Sequence, residues 1–292
     1  MLTQLINDFI LSCRARRLSP RTIEWYEWLL SEYRAFTEKR GLDWTQPATL
    51  DAHLAGIAAR ASAHTLHAHY RALRRFFRWL EKRHLIAENP MRMIEPPRLP
   101  ARQPRHILPD DVIRLLATTA SGGWLDLRDR AVILMLWDSG LRAGELCELT
   151  LSSLDLEKGL VFIRAGKGDK DRCAALGNVA RDALRDWLAV RDERAACDRL
   201  FVGWHGGPLT RYGLSLMLRR RAKAAGINRP IGPHTFRHGF AVAYLNNGGK
   251  IHNLRRLLGH TTLRSTEVYL SVADREAVAD HALASPGDHL VK

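Results

Sequence analysis

Cysteine is scarce in this chain and none of it is arranged for chemistry: Cys13, Cys147, Cys173 and Cys197 are scattered, with no Cys-x-x-Cys pair. This spacing argues against a zinc knuckle and against a disulfide framework, which fits a reduced cytosol. Long hydrophobic runs are also missing. The run from Ala131 to Trp137 stops after seven residues, where a membrane span needs ~20. The first residues carry no apolar region of the secretory kind, so a cytoplasmic location and no membrane partner are expected. Acids are in deficit, with 31 Asp and Glu against 45 Lys and Arg, a net charge of +14. With 292 residues, 46% of them apolar, the chain can bury two real cores, so this charge belongs to folded surfaces rather than a disordered tail. An excess carried mainly by arginine suits a polyanion gripped at its phosphates, and nucleic acid is the leading partner.

What is present begins with helices. Residues 2–17 read as a first helix. Ser19-Pro20 then supplies an N-cap and a first-turn proline for a long amphipathic helix to Gly41, with Ile23, Tyr26, Leu30, Tyr33 and Phe36 on one stripe. Further helices are expected over 50–61 and 65–84, the last with Leu66, Tyr70, Leu73, Phe77 and Leu80 on its apolar face. On that helix Arg71, Arg74, Arg75 and Arg78 fall at i, i+3, i+4 and i+7, on one side. Such a stripe is either a footprint for a phosphate backbone or a solvated face. Asn89-Pro90 closes the unit, and Pro96, Pro97, Pro100 and Pro104 make residues 96–105 an extended linker. The expected domains are therefore 1–95, all helical, and 106–292.

The second domain opens with Pro109-Asp110-Asp111, acids where a helix dipole favours them. A buried helix is expected over 128–138, stopped by Ser139-Gly140, and Leu141-Arg142-Ala143-Gly144-Glu145-Leu146 opens the next, with Glu145 placed to brace Arg142. Residues 154–176 switch to three short strands with two turns, and Lys167 sits at a hairpin tip. Helices return at 178–195, 211–225, 236–247, 252–258 and 265–280. The fold class is thus mainly α with a small antiparallel sheet.

The last quarter concentrates the chemistry. His234-Thr235-Phe236-Arg237-His238, Leu258-Gly259-His260 and Tyr269 gather the side chains that grip phosphate oxygens, move protons near neutral pH and attack phosphorus. Taken singly, each has a packing or surface role open to it. In order, however, Gly-Leu-Arg-x-x-Glu-Leu, Gly-Lys-Gly-x-Lys-x-Arg, His-x-x-Arg-His, Leu-Gly-His and a tyrosine nine residues on form a five-part pattern. This pattern resembles the tyrosine recombinase (phage integrase) family over nearly the whole chain, in its Xer-like or mobile-element branches.

The resemblance implies a helical, SAM-like core-binding domain, a linker and a mixed α/β catalytic domain, with catalytic positions at Arg142, Lys167, His234, Arg237, His260 and Tyr269. It also implies double-stranded DNA as substrate, a nucleoid-associated tetramer, with or without a second recombinase, and no cofactor. Two departures stand out: Gly239 where the family often has serine, and Leu270-Ser271 where Xer members commonly have threonine-histidine. By residue chemistry, Arg142, Arg237 and His260 would hold the non-bridging oxygens, Lys167 would protonate the leaving 5′ oxygen and His234 would assist as base or positioner. A type IB topoisomerase would share the phosphotyrosyl step without joining two duplexes. A non-catalytic DNA-binding regulator would be indifferent to Tyr269→Phe.

Overall fold

The computed structural model describes residues 1–100, 105–164 and 171–259. The chain divides into two compact units, Met1–Arg102 and Gln103 onward. Among the described residues no helix is long and apolar enough to cross a membrane.

The first unit is built from α1 (Leu2–Ala15), α2 (Pro20–Arg40), α3 (Pro47–Ala58) and α4 (Ala63–Lys82). Local chemistry sets their starts. Ser19 accepts from the Thr22 N–H at 3.3 Å with Pro20 in the first turn, and Ser62 accepts from Thr65 N at 3.2 Å. The third helix begins earlier than its apolar spacing suggests because Pro47, with φ already set for a helix, takes the first position. The expected stripes are the ones that pack: Tyr70, Leu73, Phe77 and Leu80 from α4 meet Leu30 and Tyr33 from α2 in one core. Phe9 fills its centre, with edge-on contacts to Tyr26, Phe76 and Trp79 at 5.3–5.5 Å between centroids.

The second unit surrounds α6 (Trp124–Ser139), whose residues Ala131 to Leu136 are all buried. A helix apolar on every side must be enclosed, and here α5 (Pro109–Ala117), α8 (Asn178–Arg191) and α10 (Pro233–Asn246) enclose it. The α7 helix (Ala143–Glu148) follows, and then a sheet of β1 (Leu154–Asp155), β2 (Leu160–Ile163) and β3 (Arg172–Ala175) in the antiparallel order β1-β2-β3, with Ile163 opposite Arg172. Helices α9 (Arg211–Ala224) and α11 (Ile251–Leu258) complete the described chain. The expected helix over 265–280 lies outside the described residues.

Two boundaries matter for function. The helix expected from Phe236 starts at Pro233, because Thr235 Oγ1 accepts from Gly232 N at 3.0 Å and proline fits the first turn. His234 therefore belongs to the helix that carries Arg237. The α6 helix ends on Gly140 in the left-handed conformation, and α7 starts two residues later with Arg142 as its N-cap.

Candidate active site and basic face

Arg142 is fixed at both its backbone and its side chain by one acid. Glu145 Oε2 accepts from the Arg142 N–H at 2.8 Å, and Glu145 Oε1 accepts from Arg142 Nη1 at 2.7 Å. The arginine keeps 27% side-chain exposure, so part of its fork stays open to a ligand while its direction is held. Glu145 is itself enclosed, and its second guanidinium partner is Arg172 on β3, with Nη2 donating to Oε2 at 2.6 Å. Burial pushes the Glu145 carboxyl up, but the Arg172 charge and the Arg142 hydrogen bonds outweigh it and hold the carboxyl below its usual range.

Arg237 points inward from α10, with 5% of the residue exposed. Its Nη1 donates to the Gly140 carbonyl at 2.7 Å and its Nη2 to the Leu258 carbonyl at 2.6 Å. The first contact lies two residues before Arg142, and the second lies two residues before His260. A carbonyl at a helix C-terminus lacks an intrahelical partner and carries the negative end of the dipole, which suits a guanidinium. His234 is exposed on the first turn of the same helix, three residues before Arg237. His238, one turn further on, is half-buried; burial lowers its pKa first, and the charges of His234, Arg237 and His106 lower it further. Arg237 thus reaches the turn two residues before Arg142, and His234 stands on the same helix as Arg237, while Lys167, His260 and Tyr269 lie outside the described residues. The contacts draw attention to Arg172, which the motif contains without distinguishing it. Its link to Glu145 spans 27 residues, beyond what helical spacing reveals.

In the first unit, Arg71, Arg74 and Arg78 are exposed and Arg75 is half-buried, all on α4. Glu81, on the same helix, pairs with Arg92 at 2.8 Å. Two grooves of about 630 Å³ flank Arg78. One is lined by Arg16, Arg75, Lys82, Arg83 and Trp79, and the other includes Arg74 and Tyr70. Cations beside aromatic faces, with Arg83 5.1 Å above the Trp79 ring, offer the contacts a nucleic acid strand uses.

Comparison with known proteins gives the same reading for both units. The model of the phage integrase family matches residues 105–276, and that of the phage integrase N-terminal SAM-like domain matches residues 5–87. The tyrosine recombinase XerD of Ralstonia nicotianae is 34% identical over 276 residues, covering 92% of this chain and 89% of its own. Among solved structures, a XerH site-specific recombinase bound to a palindromic difH substrate in a post-cleavage complex aligns with a TM-score of 0.76 at 22% identity, covering 99% of this chain and 85% of that one. A lambda integrase dimer bound to a COC' core site aligns at 0.73 and 19% identity, covering 91% and 94%. The two structures share the fold; the family models and the XerD relative carry the assignment. With its catalytic and SAM-like regions both matched, and a relative similar over most of its length, the chain belongs to the phage integrase family and is a site-specific tyrosine recombinase, a DNA strand-transferring enzyme.

Proposed function

We propose that the chain cleaves and rejoins double-stranded DNA through a 3′-phosphotyrosyl intermediate, in integration, excision or resolution. The Tyr269 hydroxyl attacks phosphorus, forming the tyrosyl P–O bond while the bond to the 5′ oxygen breaks. His234 assists removal of the tyrosine proton and Lys167 delivers one to the leaving oxygen. Arg142, Arg237 and His260 stabilise the charge on the non-bridging oxygens. The phosphotyrosine retains the bond energy, so a 5′ hydroxyl from another strand can reverse the step with no external energy source.

The observation that supports this reading is the bond from Arg237 to the Gly140 carbonyl, which ties the second arginine motif to the turn two residues before Arg142. The basic face of α4 supports residues 1–95 as the unit that holds the duplex beside a catalytic unit of 106–292. Structural relatives solved on DNA, including a dimer, support assembly there, and we take the working form to be a tetramer holding two duplexes, with or without a second recombinase.

The test is direct. DNA left covalently attached to the protein after denaturation is sequenced, for the unaltered chain and for Tyr269→Phe. A discrete attachment site is expected from the first and none from the second, with duplex binding retained in both. Adducts that persist in Tyr269→Phe, or none from the unaltered chain, would sink the reading.

A further inference from the structure

Two arginines cross from the α6–α7 turn to the end of α11, and only one of them is accounted for by the proposed chemistry. Arg237 joins Gly140 to the Leu258 carbonyl. Arg172 makes the parallel link: its Nη2 donates to Glu145 at 2.6 Å, and its Nη1 donates to the carbonyl of Leu257, the residue before. Successive terminal carbonyls of α11 are therefore capped by guanidiniums from two different elements, β3 and α10.

Arg172 is not a surface ion-pair partner. Its side chain is 9% exposed, and taking a guanidinium out of water is costly unless its partners are fixed. Gly259 packs directly on it: a Cβ at that position would stand 2.7 Å from Arg172 Cδ and 3.1 Å from Nε. A bare backbone is thus required at the residue preceding His260 for the arginine to pass. On its other side the same guanidinium shares Glu145 with Arg142. One planar fork sits between the acid that aims Arg142 and the turn that leads to His260. Its own strand, β3, is the described end of the hairpin that holds Lys167 in sequence.

We propose that Arg172 is a positioning residue for strand transfer, which by bridging Glu145 and the Leu257 carbonyl sets Arg142 and the approach to His260 in one geometry. The inference rests on the reading that Arg142 and His260 hold the scissile phosphate. Lysine cannot replace this fork. Its ammonium keeps the charge, but a single nitrogen does not reproduce two donors spread across a rigid plane. A merely electrostatic role would be served by lysine, and a merely structural one would show as lost stability; a bridging role shows as lost rate beyond either.

The experiment uses the full chain and a nicked duplex bearing the attachment site recovered by adduct sequencing. Duplex affinity, thermal midpoint and single-turnover adduct formation are measured for the unaltered protein, Arg172→Lys, Glu145→Gln and the double variant. For Arg172→Lys we expect unchanged duplex affinity and an adduct-forming rate lower by on the order of 100-fold, as for a small displacement of a catalytic group. Glu145→Gln acts on the same bridge, so the double variant should fall well short of the product of the two single effects. Arg172→Lys reacting at the wild-type rate, or losing rate only in proportion to affinity or stability, overturns the proposal. So do fully multiplicative effects, which decide the matter even where Arg172→Lys folds poorly. Absence of any adduct from the unaltered chain would instead overturn the strand-transfer reading, and this proposal with it.

Discussion

Gly239 occupies a place with no room for a side chain. A Cβ there would come within 2.6 Å of Ile107 Cγ2, 2.8 Å of the Ile107 carbonyl and 2.9 Å of Trp137 Cζ3. The close approach follows from the Ile107 N–H donating to the Thr235 carbonyl at 3.1 Å, which pulls that segment onto α10. Gly239→Ser should therefore destabilise the second unit by ~1–3 kcal/mol through overpacking, read as a lower urea midpoint. A wild-type midpoint would show that the segment at Ile107 yields freely. A second pair of residues makes stability depend on pH. His53 and His69 are each 2% exposed, 5.6 Å apart between ring centroids, and His53 Nε2 and His69 Nδ1 have no hydrogen-bond partner among the described residues. Burial, then the His69 charge, pushes His53 down to about 4. The unfolded chain takes up this proton near 6.5 and the folded chain refuses it until about 4, so stability is full above the first value and declines between the two. Glu32, 3.6 Å from His69, opposes the shift without cancelling it, while the Arg60 charge adds to it. Hydrogen exchange in α3 and α4 of the full chain should accelerate across that window, and His53→Phe should flatten the response; equal acceleration in both proteins would remove His53 as the cause.

At the scale of elements, α4 divides cleanly into a face that packs and a face that carries charge. Tyr70, Leu73, Phe77 and Leu80 are buried, while Arg71, Arg74 and Arg78 are exposed. Each phosphate contact made by this face contributes about 0.9 to the log–log salt slope of duplex binding. Arg74→Ala and Arg78→Ala should each weaken binding to a random duplex and flatten the slope by up to that amount, measured between 50 and 200 mM salt as a rough working range. Unchanged affinity and slope would leave a solvated face. The helical periodicity that reveals α4 in the sequence also reveals most of the other helices, because burial and spacing coincide there. Where local chemistry overrides apolar spacing, boundaries move: Pro47 and Pro233 each begin a helix three residues ahead of its expected start. The buried histidines escape such a reading although His53 lies on the stripe of Leu50, Leu54 and Ile57, since a titratable residue on an apolar stripe looks like an exposed edge. The site is legible as a set of residue types in order, and Glu145 as the brace of Arg142, three residues away. Its cross-links are not legible, because Arg237 reaches back 97 residues to Gly140 and Arg172 reaches forward 85 to Leu257.

For the whole molecule, the composition of the site fixes what the reaction needs from outside. A metal ion in phosphoryl transfer serves to neutralise non-bridging oxygens, activate the nucleophile or stabilise the leaving group. In the proposed arrangement arginines take the first task, and a histidine and a lysine take the others. The acid placed among them is not open to a cation. Glu145 accepts from Arg142 Nη1 on one oxygen and from the Arg142 N–H and Arg172 Nη2 on the other, so a divalent ion would have to displace charge-assisted bonds of 2.6–2.8 Å. Its carboxyl is also held below the usual range by the Arg172 charge and the Arg142 hydrogen bonds. A site whose acid is neutralised twice over is left with a net positive field, which suits a phosphodiester and repels Mg²⁺. Adduct formation at the recovered site should accordingly proceed in EDTA at the rate seen with magnesium, once ionic strength is matched to offset screening of the duplex. Cleavage abolished by chelation and restored by magnesium would show that the arginines do not supply the electrophilic stabilisation, and the assignment of Arg142 and Arg237 would fall with it.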